Sequence, residues 1–264
     1  MIRWTGLFIV VSLLVAACAP PAVPIRKFVK GDELAYYDFT EPGVFEEGTY
    51  GDGAARLQIS DGVYRMVVTE GDSEVWYGQW GDAYDNVVID VEARQITEDP
   101  NTVYGLICRM RGSVGQNLPE GDPLVEAAEA TPEAEATMEA TAEAAAESTP
   151  EAIESAAQIN NGDGYLFLVE GAGRFAIMRA RGRSVVPLVD WTSSDKIKTG
   201  AALNTLRAVC LDDYLALYVN GEFVGDAIDD TYNRGQVGLA AAAASRLGLT
   251  VEYDNLTVSQ ARAG

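Results

Sequence analysis

Apolar and polar positions alternate with a period of two through most of the chain. Short runs of β-branched and aromatic residues interrupt the alternation. Period two belongs to a strand, whose successive side chains point to opposite faces. The pattern predicts strands over Ala55–Ser60, Val63–Val68, Glu74–Trp80, Asn86–Gln95, Thr102–Arg111, Gly164–Glu170, Arg174–Arg179, Val185–Asp190, Asn204–Leu211, Tyr214–Val219, Glu222–Asp226, Gln236–Ala242 and Leu249–Val258. Gly, Asp and Asn separate these runs, as turns require. Asn220-Gly221 between two of them is the strongest hairpin signal, because both positions of a two-residue turn need positive φ. Ala240–Ala244 favours a helix by composition, but its neighbours alternate, so it reads as a strand end. A dozen short strands and no helical period predict an all-β fold, an antiparallel β-sandwich.

One stretch breaks the pattern. Residues 117–160 hold eleven acids and no Lys or Arg among Ala, Thr and Pro, with a near-repeat at Thr131-Pro132-Glu133-Ala134 and Thr149-Pro150-Glu151-Ala152. Glu135, Glu139, Glu143, Glu147 and Glu151 recur every four residues. On a helix they would form one self-repelling stripe with no apolar face behind it. The stretch reads as a disordered acidic insert, at most transiently helical.

That insert carries about half of the charge. The 264 residues have a formal charge of −21, from 19 basic and 40 acidic side chains. Such a balance repels a phosphate backbone and argues against nucleic acid as a partner. There is no histidine. This excludes a Ser–His–Asp triad, a Cys–His pair and any metal site built on imidazole.

The N-terminus holds an apolar run from Leu7 to Ala17, behind Arg3. It falls short of the roughly 20 residues a bilayer needs, and it suits the h-region of a signal peptide. The run ends Val15-Ala16-Ala17-Cys18, which resembles the lipobox of bacterial lipoproteins. The resemblance implies cleavage before Cys18, lipidation of its thiol and a membrane as partner through the anchor. On this reading residues 1–17 are a signal peptide, 18–33 a Pro-rich tether and 34–260 one domain interrupted by 117–160. The address is the bacterial cell envelope, outside the cytoplasm.

Export leaves Cys108 and Cys210 in an oxidising compartment, where two thiols of one domain usually pair. Cys108 shares a strand face with Tyr104 and Leu106, and Cys210 with Leu206 and Ala208, so both point coreward while Arg109 and Arg207 point away. A disulfide is expected, against the alternative of two separate buried thiols.

Several strands are similar to those of one family. Tyr104-Gly105-Leu106-Ile107-Cys108-Arg109, Gly164-Tyr165-Leu166-Phe167, Trp191-Thr192-Ser193-Ser194, Leu206-Arg207-Ala208-Val209-Cys210, Leu217-Tyr218-Val219-Asn220-Gly221, Gly235-Gln236-Val237-Gly238-Leu239 and Tyr253-Asp254-Asn255-Leu256 resemble motifs of extracytoplasmic bacterial domains with the concanavalin A-like lectin/glucanase fold. These include LamG-like and 3-keto-disaccharide hydrolase-like domains. The resemblance implies a jelly roll and a saccharide ligand. It also implies that a structural Ca²⁺ is possible at acidic rim loops such as Asp212-Asp213, Asp229-Asp230 and Asp254-Asn255, although none has a calcium-loop spacing. No other cofactor is expected.

Two sets of side chains are candidates for chemistry. Asp90 and Glu92 sit two apart on a strand, so both face one way. Glycosidases of this superfamily carry a longer acidic motif, and its leading position is Val88 here. Trp76, Trp80 and Trp191 are candidate stacking platforms for sugar rings, with Arg109 as a neighbouring donor. A polar outer face on an amphipathic strand is the simpler explanation of the acids, and core or rim packing that of the tryptophans. Together the residues favour a lectin-like, non-catalytic glycan-binding domain. The alternatives are a carboxylate-dependent glycoside or 3-keto-disaccharide hydrolase and a structural domain of the envelope.

Overall fold

A computed structural model describes residues 25–69, 75–111, 162–182, 184–243 and 248–264. Cys18, residues 1–17 read as a signal peptide and residues 117–160 read as a disordered acidic insert lie outside the described residues. Two antiparallel sheets pack face to face. One runs in the order β13 (Glu222–Ile228), β12 (Tyr214–Val219), β11 (Leu203–Leu211), β6 (Val87–Gln95), β15 (Leu249–Ala263), β4 (Val63–Val68), β3 (Ala55–Ser60) and β2 (Gly48–Tyr50). A ninth strand, β1 (Phe28–Tyr37), pairs with the far half of β15. The second sheet has six strands, in the order β10 (Ser184–Ser193), β9 (Arg174–Arg181), β8 (Asp163–Glu170), β7 (Thr102–Arg111), β14 (Gly235–Ala243) and β5 (Val75–Tyr84). The described residues contain no α-helix.

The expected strands are present, most of them lengthened by one to five residues. Two were missed. β2 is three residues long, and β1 begins inside the stretch read as tether, so the folded body starts at least six residues earlier than residue 34. It also extends past residue 260, because β15 runs to Ala263.

The alternation sorts side chains as a sandwich demands. Tyr104, Leu106, Cys108, Phe167, Leu206, Cys210, Leu239, Val251 and Tyr253 fill the space between the sheets. Cys108 and Cys210 form a disulfide between β7 and β11, one strand from each layer. Its sulfurs close a separation of 102 residues, worth up to about 4.7 kcal/mol in the chain-entropy account. The Tyr253 hydroxyl is a second tie between layers. It accepts from the Gly105 N–H at 3.2 Å and donates to the Ala240 carbonyl at 2.6 Å. Burial drives its pKa far above the ordinary tyrosine value, so it stays a neutral donor. Gly105 is required by close approach, since a Cβ there would come within 2.0 Å of the Phe167 carbonyl oxygen.

Candidate functional site

β6, β11 and β12 lie side by side, and their register builds rows of side chains on the outward face of the nine-stranded sheet. Asp90, Arg207 and Tyr218 stand opposite one another as one row. Glu92 and Thr205 form the next. β15 borders β6 but slips register between Asp254 and Thr257. At the slip Asn255 adopts a left-handed backbone, φ 54°, which Asn tolerates and which aims its amide across the sheet. These residues, with Val91, Leu206 and Gly221, line a groove of about 300 Å³.

Its groups are held in place. Both Asp90 oxygens are taken, one by Lys30 Nζ at 2.8 Å and one by Arg207 Nε at 2.6 Å. The Asn255 amide donates weakly to Glu92 at 3.5 Å and accepts from the Tyr36 hydroxyl at 2.8 Å. Burial, with the charges of Glu92 and Asp38, raises the Asp254 carboxyl above its ordinary value, against the bond it accepts from the Asn255 N–H. Tyr218 lines one side of the groove, and Tyr36, half exposed on β1, stands beyond the other. Such a surface sets donors and acceptors of Arg207, Thr205, Glu92 and Asn255 beside the Tyr218 ring on neighbouring strands. That is what a polyhydroxylated ring requires, with hydroxyls on its rim and C–H groups on its faces.

The sequence-predicted acids Asp90 and Glu92 are therefore in the groove. The predicted aromatic platform is not assembled. Trp76 is 5% exposed and belongs to the core, its ring packed where a Cβ on Gly51 would come within 2.7 Å. Trp80 shares its sheet face by register but is 43% exposed. Trp191 lies on β10 beneath Arg174, whose guanidinium sits 5.6 Å from the ring. β5 and β10 are opposite edges of the six-stranded sheet, five interstrand steps of about 4.8 Å apart. Trp80 and Trp191 cannot stack on one sugar across roughly 24 Å.

Arg109 corrects a further expectation. It does not face a ligand surface, for it is 1% exposed. Its φ of 54° breaks the alternation, and both neighbouring strands shift register there. The guanidinium turns into the end of the sandwich and donates to the carbonyls of Asp85 (2.9 Å), Asp212 (2.7 Å) and Tyr232 (2.8 Å) and to Asn86 Oδ1 (3.1 Å). It fastens three loops. Burial lowers its pKa, and the charges of Asp212 and Asp85 act against that.

The acidic rim loops are engaged by protein groups. Asp229 is bonded by Tyr165 and Arg179, Asp213 by Arg26, and Asp212 by Asn86. Among the described residues no three acidic or sulfur ligands gather around a common point.

No family model and no curated protein matches the chain. Solved structures do. A Bacillus subtilis protein of unknown function with a galectin-like fold superposes with a TM-score of 0.54 at 14% identity, over 90% of this chain and all of that one. A prokaryotic β-1,3-1,4-glucanase (lichenase) from a mouse hindgut metagenome gives 0.51 at 13%, over 86% and 98%. A LamA variant from Z. galactanivorans in complex with laminaritriose and laminaritetraose gives 0.51 at 8%, over 88% and 100%. At these identities the likeness is one of fold: this chain is a two-sheet jelly-roll sandwich of the galectin-like and glucanase kind.

Proposed function

We propose that this protein binds glycans without cleaving them, through the groove on its nine-stranded sheet. The observation that carries the reading is the in-register row Asp90–Arg207–Tyr218, continued by Glu92, Thr205 and Asn255 on an open sheet face. Similar folds that include glucanases support a saccharide as ligand. The state of Asp90 supports binding over hydrolysis. Both its oxygens are held by cations, so the pair Asp90 and Glu92 lacks a second free carboxyl to exchange a proton with a glycosidic oxygen. The proposed setting is the outer side of a bacterial membrane, with the domain tethered by lipid on Cys18, seven residues before Ile25.

A glycan array read with the wild type, Arg207→Ala and Glu92→Gln tests the reading. One or more saccharides should be retained by the wild type and weakened at least about tenfold in each variant, the equivalent of one lost charged hydrogen bond. Retention that survives both substitutions, or its absence in the folded wild type, rejects the site. Trp80→Ala and Trp191→Ala should leave binding unchanged. For the anchor, Cys18→Ser should release the protein from the membrane fraction and abolish incorporation of labelled palmitate.

A further inference from the structure

The two ends of the groove differ. Positions 88, 90 and 92 of β6, 209, 207 and 205 of β11, and 216 and 218 of β12 all face outward and stand in register. The rows Asp90–Arg207–Tyr218 and Glu92–Thr205 line the groove. The row before them, Val88–Val209–Ala216, faces the same way but is completely buried, each residue 0% exposed. The chain's own N-terminal arm, with Ala261 near the end of β15 and Phe223, shuts it. Phe28 packs into that apolar cluster and meets the edge of the Tyr218 ring at 5.8 Å. Lys30 follows and is bonded to Asp90. Ahead of them Arg26 pairs with Asp213 and lies over the Tyr214 ring at 5.5 Å. In the opposite direction the sheet continues past Glu92 and Thr205 to an exposed Arg94 and to the tight turn at Gly221. The groove is thus a step, where an open sheet face runs up against a wall.

A polymer held by an interior segment must leave its site at both ends. Here one exit is filled by Phe28 and Lys30. Resting on the glycan reading of this groove, we infer that it receives the terminus of a saccharide chain. The last sugar abuts Phe28, Lys30 and Tyr218, and the rest of the chain leaves over Glu92 and Thr205. At the stop two cations, Lys30 and Arg207, share a single carboxylate, so the terminal unit meets fixed donors.

Binding capacity separates this from binding along the chain. Laminarin, mixed-linkage β-glucan and xylan are compared intact and after partial endo-cleavage, which multiplies chain ends at constant mass. The full-length wild-type protein is titrated with each, and moles bound per gram are read at saturation. Capacity should rise in proportion to the number of ends. The double variant Phe28→Ala, Lys30→Ala, checked for folding by circular dichroism, should gain capacity for the intact polymers. A capacity indifferent to end number, with binding still lost in Arg207→Ala, overturns the chain-end inference and leaves the glycan reading standing. Failure of the folded wild type to bind any of the six samples counts against both.

Discussion

At the scale of single residues, the alternation that located most side chains fails at backbone irregularities. Arg109 follows Cys108 and should point outward by parity. Its left-handed φ and the register slips beside it turn the side chain into the sandwich instead. Nothing in the letters around position 109 announces that slip. The role it takes is structural: four neutral acceptors from three loops converge on one guanidinium. A lysine has one ammonium and no planar fork. Arg109→Lys should therefore leave carbonyls unsatisfied and lower stability by about 3 kcal/mol in urea unfolding, with Arg109→Ala at least as costly. Glu46 gives a pH signature. Its oxygens accept from the Gln79 N–H at 3.0 Å and the Tyr50 hydroxyl at 3.0 Å, and burial outweighs these bonds to raise its pKa above 4.5. A raised folded value means that its contribution to stability is full below the unfolded value of 4.5 and lost as pH climbs through the folded one. Glu46→Gln keeps an acceptor for Gln79 and offers a donor to the Tyr50 oxygen. Melting curves of wild type and variant should therefore converge near pH 4.5 and separate toward neutrality, with the variant more stable.

At the scale of elements, strand existence was legible and cross-strand neighbours were not. Ala55–Ser60, Val63–Val68, Thr102–Arg111 and Tyr214–Val219 occupy the ranges their alternation predicts. β1 escaped because it slips register twice, at Lys30/Glu33 and Glu33/Ala35, so its apolar positions keep no constant period. That omission hid Lys30 and Tyr36, the partners of Asp90 and Asn255 in the groove. Asp90 and Glu92 were visible as a pair because both lie on one strand. Arg207, Thr205, Tyr218 and Asn255 lie on three others, and pairing register is set by the folded sheet. The tryptophans misled for a related reason, since aromatic residues in strands serve the core as readily as a surface. The tightest element contact yields another prediction. Gly105→Ala on β7 would drive a methyl into the Phe167 carbonyl of β8, forcing the central strands of the six-stranded sheet apart. Its melting temperature should fall well below that of Gly221→Ala, where nothing lies within 4 Å and only the φ of 82° is strained.

At the scale of the whole molecule, stability rests on ties between layers. The Cys108–Cys210 bridge is the only covalent one among the described residues, and it closes a long loop. Replacing both cysteines by alanine should cost about 2–5 kcal/mol, and the same loss should appear in the wild type under reductant once the buried bond is reached. Unchanged melting in the double variant would show that packing and the Tyr253 hydrogen bonds suffice. Binding at the groove should survive that substitution below the new melting temperature, because Asp90, Arg207 and Tyr218 are held by the nine-stranded sheet alone.

The placement of β15 governs how the chain can reach this state. This strand is wedged between β6 on one side and β4 and β1 on the other. Just past its end the Gly264 N–H donates to the Lys27 carbonyl at 3.1 Å, beside the start of β1. Without β15, β4 keeps β3 and β6 keeps β11, but the two parts of the nine-stranded sheet have nothing between them and β1 has no partner. Detachment of β15 alone would therefore split the sheet and bare the edges of β4 and β6 for pairing with other chains.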